Sequence, residues 1–208
     1  MTLNQARRQV LSAASFDPDA YETVRDDPAA TVYAVAVVVV STLLAALGGF
    51  LWTRFAAAPP PIFETDTARF FTRSVVLGSL LQVAMWAVWV GVTQTWLTQI
   101  YMVRDVPLSS LVRTMGFAFA PMALQVFLFL PVIEFPLGMI AVGGTVGCTV
   151  LAVRAASGAT PGQALVATMA GFVIFAMALG MLGNTDTDLA PGIFALDPNA
   201  ISVSLKLK

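Results

Sequence analysis

The sequence predicts an all-α integral membrane protein, a bundle of five transmembrane helices with a proline-kinked third helix and short interfacial N-terminal helices. Of its 208 residues, 58% are hydrophobic and only 11% are charged, whereas a soluble domain carries about 25% charged residues. A soluble domain of this length could not bury so much apolar surface in one core. Five apolar windows are long enough to cross a hydrocarbon layer of about 30 Å, which takes about 20 helical residues.

Residues 1–31 precede the first window and are predicted to form a cytoplasmic or interfacial segment of one or two helices. Asp17 and Pro18 can cap and start a short helix that carries Tyr21. A cleaved signal peptide would place a short apolar stretch directly after a basic start. The first apolar window comes later and is longer, so we interpret it as a retained helix.

The predicted membrane domain covers residues 32–183. A lone strand in lipid would leave its backbone groups unpaired, so even the valine-rich first window is predicted to be helical. Thr160 and Gln163 have the spacing of a capping box before the last window. Residues 184–208 form a predicted external tail whose end alternates apolar and polar residues, as a strand does. The five predicted spans are 32–52, 73–97, 111–133, 136–153 and 163–182.

Pro121 lies in the middle of the third predicted span. Proline lacks a backbone N–H and clashes with the carbonyl four residues earlier, here that of Phe117, so we expect a kink. Glu134 lies in the short connection to the fourth span, and this connection predicts an antiparallel hairpin. We expect Glu134 to face water or headgroups, or alternatively to pair with an arginine of a neighbouring loop or a partner.

Small residues recur at four-residue spacing in the later spans. Gly143 and Gly147 form a GxxxG pair in the fourth span, and Gly116 begins a similar pair in the third. Such spacing lets helix backbones approach closely in a membrane. The pattern is typical both of packing within one bundle and of an interface with a partner. The fifth span repeats it at Ala167 with Gly171 and at Ala176 with Gly180.

The residue composition excludes most kinds of catalytic and cofactor-binding site. The chain has no histidine, which removes Ser/His/Asp and Cys/His catalytic arrangements and the usual haem ligand. No predicted span has an ionisable residue at its centre, which argues against a secondary transporter, and Arg113 at a span end is expected to snorkel. The glutamines Gln82, Gln94 and Gln125 are predicted to act as interhelical hydrogen-bonding groups or as a polar pathway. We therefore predict no enzyme activity, cofactor or metal site.

The stretch from Arg113 to Pro121 resembles the Arg-x-x-Gly-aromatic-x-x-x-Pro signature of the YIP family, the Ypt/Rab-interacting membrane proteins, with Gly116 and Phe117 at the glycine and aromatic positions. The resemblance covers about residues 17–183. It implies a five-span fold with a cytoplasmic N-terminus and an external C-terminus, and the simple N-terminal segment suggests a prokaryotic-type member in the plasma membrane. Basic residues alone, six on the N-terminal side and five on the other, barely favour this orientation.

Three functions remain open at this point. The first is a non-enzymatic scaffold or adaptor of YIP type that binds other membrane proteins, or a second copy, through its small-residue helix faces, or that organises the bilayer. The second is an accessory subunit of a larger energy-converting membrane complex. The third is a small-molecule or lipid permease. The expected partners are the lipid bilayer and membrane proteins, and a net charge of −1 gives no basic field for nucleic acid.

Overall fold

The computed structural model describes residues 2–55, 67–130, 133–183, 189 and 192–195. Within these residues the chain is helical, without strands, and has five helices long and apolar enough to cross a membrane. The predicted fold class is therefore confirmed. The strand-like end of the tail, residues 201–208, lies outside the described residues.

Two short helices precede the membrane spans: α1, Leu3–Ala14, and α2, Pro18–Arg25. The side chain of Asp17 accepts a hydrogen bond from the backbone N–H of Asp19 at 3.1 Å, so it caps α2 as predicted. Tyr21 is fully buried. The residues that start α2 and the tyrosine that it carries were thus identified correctly from sequence.

The first two spans are longer than predicted. The first is α3, Ala30–Phe55. The second crosses from Phe71 to Ile100 rather than from residue 73 to 97, because π-helical turns extend both of its ends. Its consecutive parts are α4, Thr67–Phe70, a π-helix, Phe71–Leu77, α5, Gly78–Thr95, and a second π-helix, Trp96–Ile100.

The third span changes its helix type near Pro121. It consists of α6, Leu108–Ala118, followed by a 3₁₀-helix, Ala120–Phe127. The proline has no N–H for the carbonyl of Phe117, so the α-helical pattern stops just before it. The predicted interruption of the helix thus takes the form of a change from α to 3₁₀ geometry. The helix starts three residues earlier than predicted and ends at Phe127, and residues 131–132 lie outside the described part of the chain.

The last two spans are α7, Glu134–Ser157, and α8, Pro161–Gly183. α7 begins two residues earlier than predicted, so Glu134 is its first residue and not part of a connection. The capping box before α8 is present, since Thr160 N–H donates to Gln163 Oε1 at 3.0 Å and Gln163 N–H to Thr160 Oγ1 at 3.4 Å. After α8, the next described helical piece is a 3₁₀ turn, Gly192–Ala195.

The five spans pack side by side around a shared core. α3 packs against both the second and the third spans, α7 lies between the third span and α8, and α8 closes on α5. We call the end of the bundle where α3, α6 and α8 begin the near end, and the opposite end the far end. The helices α1 and α2 cover α6 and α7. Trp89, Phe119 and Phe175 are large side chains that this core buries fully.

Candidate functional site

The N-terminal helices are joined to the bundle at one carbonyl oxygen. The hydroxyl of Tyr21 donates to the carbonyl of Ala13 at 2.7 Å, and the thiol of Cys148 in α7 donates to the same oxygen at 3.3 Å. Burial raises the pKa of Tyr21 well above its ordinary value, so the phenol stays a neutral donor. A single backbone acceptor therefore ties α1, α2 and α7 together.

The turn between α1 and α2 packs on a glycine of α7. Phe16 has a left-handed backbone with φ 63°, a conformation that an aromatic residue adopts only at a cost in free energy. A Cβ on Gly147 would lie 2.8 Å from Phe16 Cε1, so only glycine leaves room for the ring. Gly147, predicted as a helix-packing residue, is thus used by the N-terminal segment and not by another span.

Arg25, the last residue of α2, connects that helix to the near end of α7. Its Nη1 donates to the carbonyl of Ala155 at 3.0 Å, while Nε and Nη2 donate to the two carboxylate oxygens of Asp26 at 2.9 and 2.7 Å. The hydrogen bond from Arg25 holds the pKa of Asp26 below its ordinary value. The helix end is fixed by one backbone acceptor and one exposed ion pair.

The sequence predicts that Arg113 snorkels towards the membrane surface, but the structure buries its side chain. Only 9% of its surface is exposed, because α6 begins three residues earlier than predicted and places Arg113 in its second turn. Its Nη2 donates to Ser110 Oγ at 3.3 Å, and its buried Nε has no hydrogen-bond partner. Within the described residues, no carboxylate forms an ion pair with it.

The other three residues of the third-span motif contact three different elements. A Cβ on Gly116 would lie 2.7 Å from the Cβ of Ala34 in α3. Phe117 is fully buried in the apolar cluster beneath the N-terminal helices. Pro121 packs on α7, where a Cβ on Gly144 would lie 3.4 Å from its ring. The motif thus joins α3, the N-terminal helices and α7 around the third span.

Gln125 holds the chain that follows α8 against the far half of the bundle. Its Oε1 accepts the backbone N–H of Ile193 at 2.9 Å, and its Nε2 lies 3.0 Å from the sulfur of Met122. Gly192 has φ 63°, and the ring of Phe194 packs edge-on to that of Phe175 with centroids 6.0 Å apart. The turn at 192–195 therefore fills space between the spans.

Several polar side-chain atoms in the interior of the bundle have no hydrogen-bond partner among the described residues. The side-chain atoms Thr42 Oγ1, Ser79 Oγ, Gln82 Oε1 and Trp86 Nε1 are all buried and unpaired within the described structure. Ser79, Gln82 and Trp86 lie on one face of α5 by their spacing, and α5 packs against α3, which carries Thr42. Nearby polar groups on α5 are paired, since Trp89 Nε1 donates to the carbonyl of Thr168 at 2.9 Å.

The three glutamines singled out from sequence do not form one site. The amide of Gln94 donates to the carbonyl of Val106 at 3.1 Å, at the near end. Gln82 lies twelve residues earlier on α5, a distance of about 18 Å along a helix, and Gln125 binds the turn at the far end. The three glutamines therefore lie at different depths of the bundle, with no hydrogen bond between them among the described residues.

Gly143 and Glu134 of α7, both singled out from sequence, differ in how exposed they are. Gly143 is exposed, and no described residue lies within 4 Å of a Cβ built on it. Exposed neighbours on the same helix face are Phe135, Met139 and Ile140. Glu134 is half-buried, and its Oε2 is buried without a hydrogen-bond partner among the described residues. The GxxxG pair is thus divided, with Gly147 covered and Gly143 open.

Within the described part of the chain, no three His, Cys, Asp or Glu side chains come together as metal ligands would. Compared with models of protein families, with curated proteins and with solved structures, the chain has no match.

Proposed function

We propose that the protein is a non-enzymatic membrane scaffold or adaptor of YIP type, which binds another membrane protein or a second copy through the membrane-facing side of α7. The observation that carries the proposal is Gly143, a glycine in the middle of a span with open space beside it. In lipid, a small residue at such a position lets a second helix approach closely and gain dispersion contacts.

The contrast among the glycines supports this assignment. A Cβ on Gly171 in α8 would lie 2.8 Å from the carbonyl oxygen of Trp89, and one on Gly116 would meet Ala34. Those two glycines are already used for contacts between spans of the same chain. Gly143 has the same small-residue spacing and no such neighbour among the described residues, so it suits an intermolecular contact.

The side chains around Gly143 suit an adaptable interface. Phe135, Met139 and Ile140 are 45%, 52% and 62% exposed. Methionine is flexible and polarizable, and it is common at surfaces that bind several partners. An adaptor would use such a surface for partners of differing shape.

The test compares the wild type with Gly143→Leu, using full-length protein reconstituted in vesicles. Energy transfer between donor-labelled and acceptor-labelled copies measures self-association, and affinity purification in mild detergent measures retained membrane proteins. We expect the leucine to reduce one of these signals about tenfold, since it blocks close helix approach. Val166→Leu, which introduces the same side chain at an exposed position of α8 that is not a glycine, is the control and should change neither.

The proposal would be wrong if wild-type protein showed neither self-association nor a retained membrane protein. It would also be wrong if Gly143→Leu behaved like the wild type in both assays. Circular dichroism of each variant in the same vesicles shows that the helices have formed, so a lost signal reports on association and not on folding.

The unpaired polar atoms of the interior favour a second candidate, a permease for small neutral solutes. Buried polar groups without partners are costly in a membrane, and water or a solute beside Gln82 and Trp86 would satisfy them. Stopped-flow light scattering of vesicles with glycerol or urea tests this candidate. Faster permeation with wild-type protein, lost in Gln82→Leu, would support it, whereas vesicles no more permeable than protein-free ones would exclude these solutes.

A further inference from the structure

Arg113, in the second turn of α6, forms no ion pair with a carboxylate of the described residues. Arg113 is 9% exposed, and its one hydrogen bond is to the neutral hydroxyl of Ser110. Its Nε is buried without a partner, and the first turn of α6 contains no acidic residue. A buried guanidinium without an anion is strongly unfavourable, so its retention points to a bound negative charge.

The N-terminus of α6 adds donors beside this guanidinium. Pro107 occupies the N-cap position and has no side chain that could cap the helix, so the backbone N–H groups of Leu108 and Ser109 lack intrahelical acceptors. Helical side chains point towards the N-terminus, and the bond from Arg113 to Ser110 shows that its guanidinium lies over the first turn. Side-chain and backbone donors therefore converge there, at the positive end of the helix dipole.

The charged groups near Arg113 include Arg25 and Asp26, which pair with each other. Both carboxylate oxygens of Asp26 are engaged by Arg25. Arg113 also helps to lower the pKa of Asp26, so the two groups lie within electrostatic reach of each other. Asp26 is thus held by Arg25, and the hydrogen bond of Arg113 goes to Ser110 instead.

We propose that Arg113, with the first turn of α6, binds a phosphate group. A guanidinium with a free Nε–H can donate two parallel hydrogen bonds to phosphate oxygens, and a helix N-terminus suits the same anion. The site lies at the start of a helix that is long and apolar enough to cross a membrane. The phosphate can belong to an anionic lipid headgroup or be free in solution, and the experiment distinguishes the two.

Thermal unfolding of the full-length protein in a neutral detergent, followed by the fluorescence of its four tryptophans, measures binding. The additions are phosphatidylglycerol, phosphatidylcholine and inorganic phosphate, each as a titration. We expect phosphatidylglycerol to raise the Tm of the wild type, and Arg113→Gln to weaken its apparent affinity about tenfold. Arg154→Gln removes an exposed arginine of α7 and should leave the affinity unchanged.

The outcomes separate the two sources of phosphate. A Tm increase with phosphatidylglycerol alone indicates a headgroup site, and an increase with inorganic phosphate as well indicates a site for the phosphate group itself. An equal effect of phosphatidylcholine and phosphatidylglycerol, or no effect of either anion, overturns the proposal. So does an unchanged affinity in Arg113→Gln.

A second variant keeps the test informative if Arg113→Gln fails to fold. Arg113→Lys keeps the charge but removes the paired donors, so it should bind phosphatidylglycerol more weakly than the wild type while still folding. Native mass spectrometry of the same samples counts bound phosphatidylglycerol directly. Equal lipid occupancy of wild type and Arg113→Lys, together with equal Tm shifts, would contradict the assignment.

Discussion

Substituting Gly116 by alanine should weaken the contact between the first and third spans. The new Cβ would lie 2.7 Å from the Cβ of Ala34, 2.9 Å from its carbonyl oxygen and 3.0 Å from its carbonyl carbon. Nonbonded carbons prefer a separation of about 3.5–4.0 Å, so α3 and α6 must move apart by about 1 Å. Overpacking of this kind costs about 1–3 kcal/mol of unfolding free energy.

A double-mutant cycle shows where that cost arises. Ala34→Gly removes the facing methyl group but leaves the carbonyl of residue 34 close to the new Cβ. Ala34→Gly has a cost of its own, since glycine disfavours the helix. The double mutant should therefore lose about 1 kcal/mol less than the sum of the two single losses, a coupling typical of residues in contact. The assay is unfolding in mixed micelles with increasing sodium dodecyl sulfate, followed by far-UV circular dichroism.

Gly143→Ala is the matched control, because nothing lies within 4 Å of its new Cβ. It should unfold like the wild type or slightly later, since alanine favours the helix. The reasoning would be refuted if Gly116→Ala and Gly143→Ala shifted the transition equally. It would also be refuted if the losses of Gly116→Ala and Ala34→Gly simply added in the double mutant.

Three further predictions concern the N-terminal helices and the far-end turn. Tyr21→Phe removes the bond to Ala13 but leaves that of Cys148, so hydrogen exchange in α1 and α2 should accelerate by an amount equivalent to about 0.5–1.5 kcal/mol; unchanged exchange would contradict this role. Arg25 lowers the pKa of Asp26 from 3.8, so their ion pair should persist above pH 3.8 and be lost as the pH falls through the lowered pKa. The hydrogen-exchange rate in α2, corrected for its intrinsic pH dependence, should therefore stay constant from about pH 8 to pH 5. Gly192→Val places a Cβ against Gln125 Oε1 at a residue with positive φ, so it should loosen the turn at 192–195. The measurement is the rate at which a cysteine at position 194 (Phe194→Cys, in a Cys148→Ala background) reacts with a maleimide, and this rate should rise when Gly192→Val is added. Equal rates would refute the packing of this turn.

The spans and their caps could be predicted because their signals are local. Hydrophobic length identifies a membrane helix, and the capping box at Thr160 and Gln163 needs only residues three apart. The start of α7 was misplaced because Glu134 has the composition of a connection, while an acidic residue in the first turn of a helix is also favourable. Local sequence does not decide between those two roles.

The contacts of the N-terminal helices could not be predicted, because they depend on residues far apart in the chain. The acceptor for Tyr21 and Cys148 is a backbone carbonyl, which carries no sequence signal. Gly143 and Gly147 have equivalent spacing, and only the position of Phe16 decides which of them is covered. The burial of Arg113 likewise depends on where α6 begins, a boundary that hydropathy places only within a few residues.

The 3₁₀ segment of the third span affects how this span matches the thickness of the bilayer. A 3₁₀-helix rises about 2.0 Å per residue and an α-helix about 1.5 Å, so the eight residues Ala120–Phe127 add about 4 Å to the length of the span. This span, at 20 residues, has fewer residues than any of the other four. The added length lets it approach the reach of its neighbours and reduces hydrophobic mismatch. Replacing Pro121 to regularise the helix would therefore shorten the span as well as straighten it.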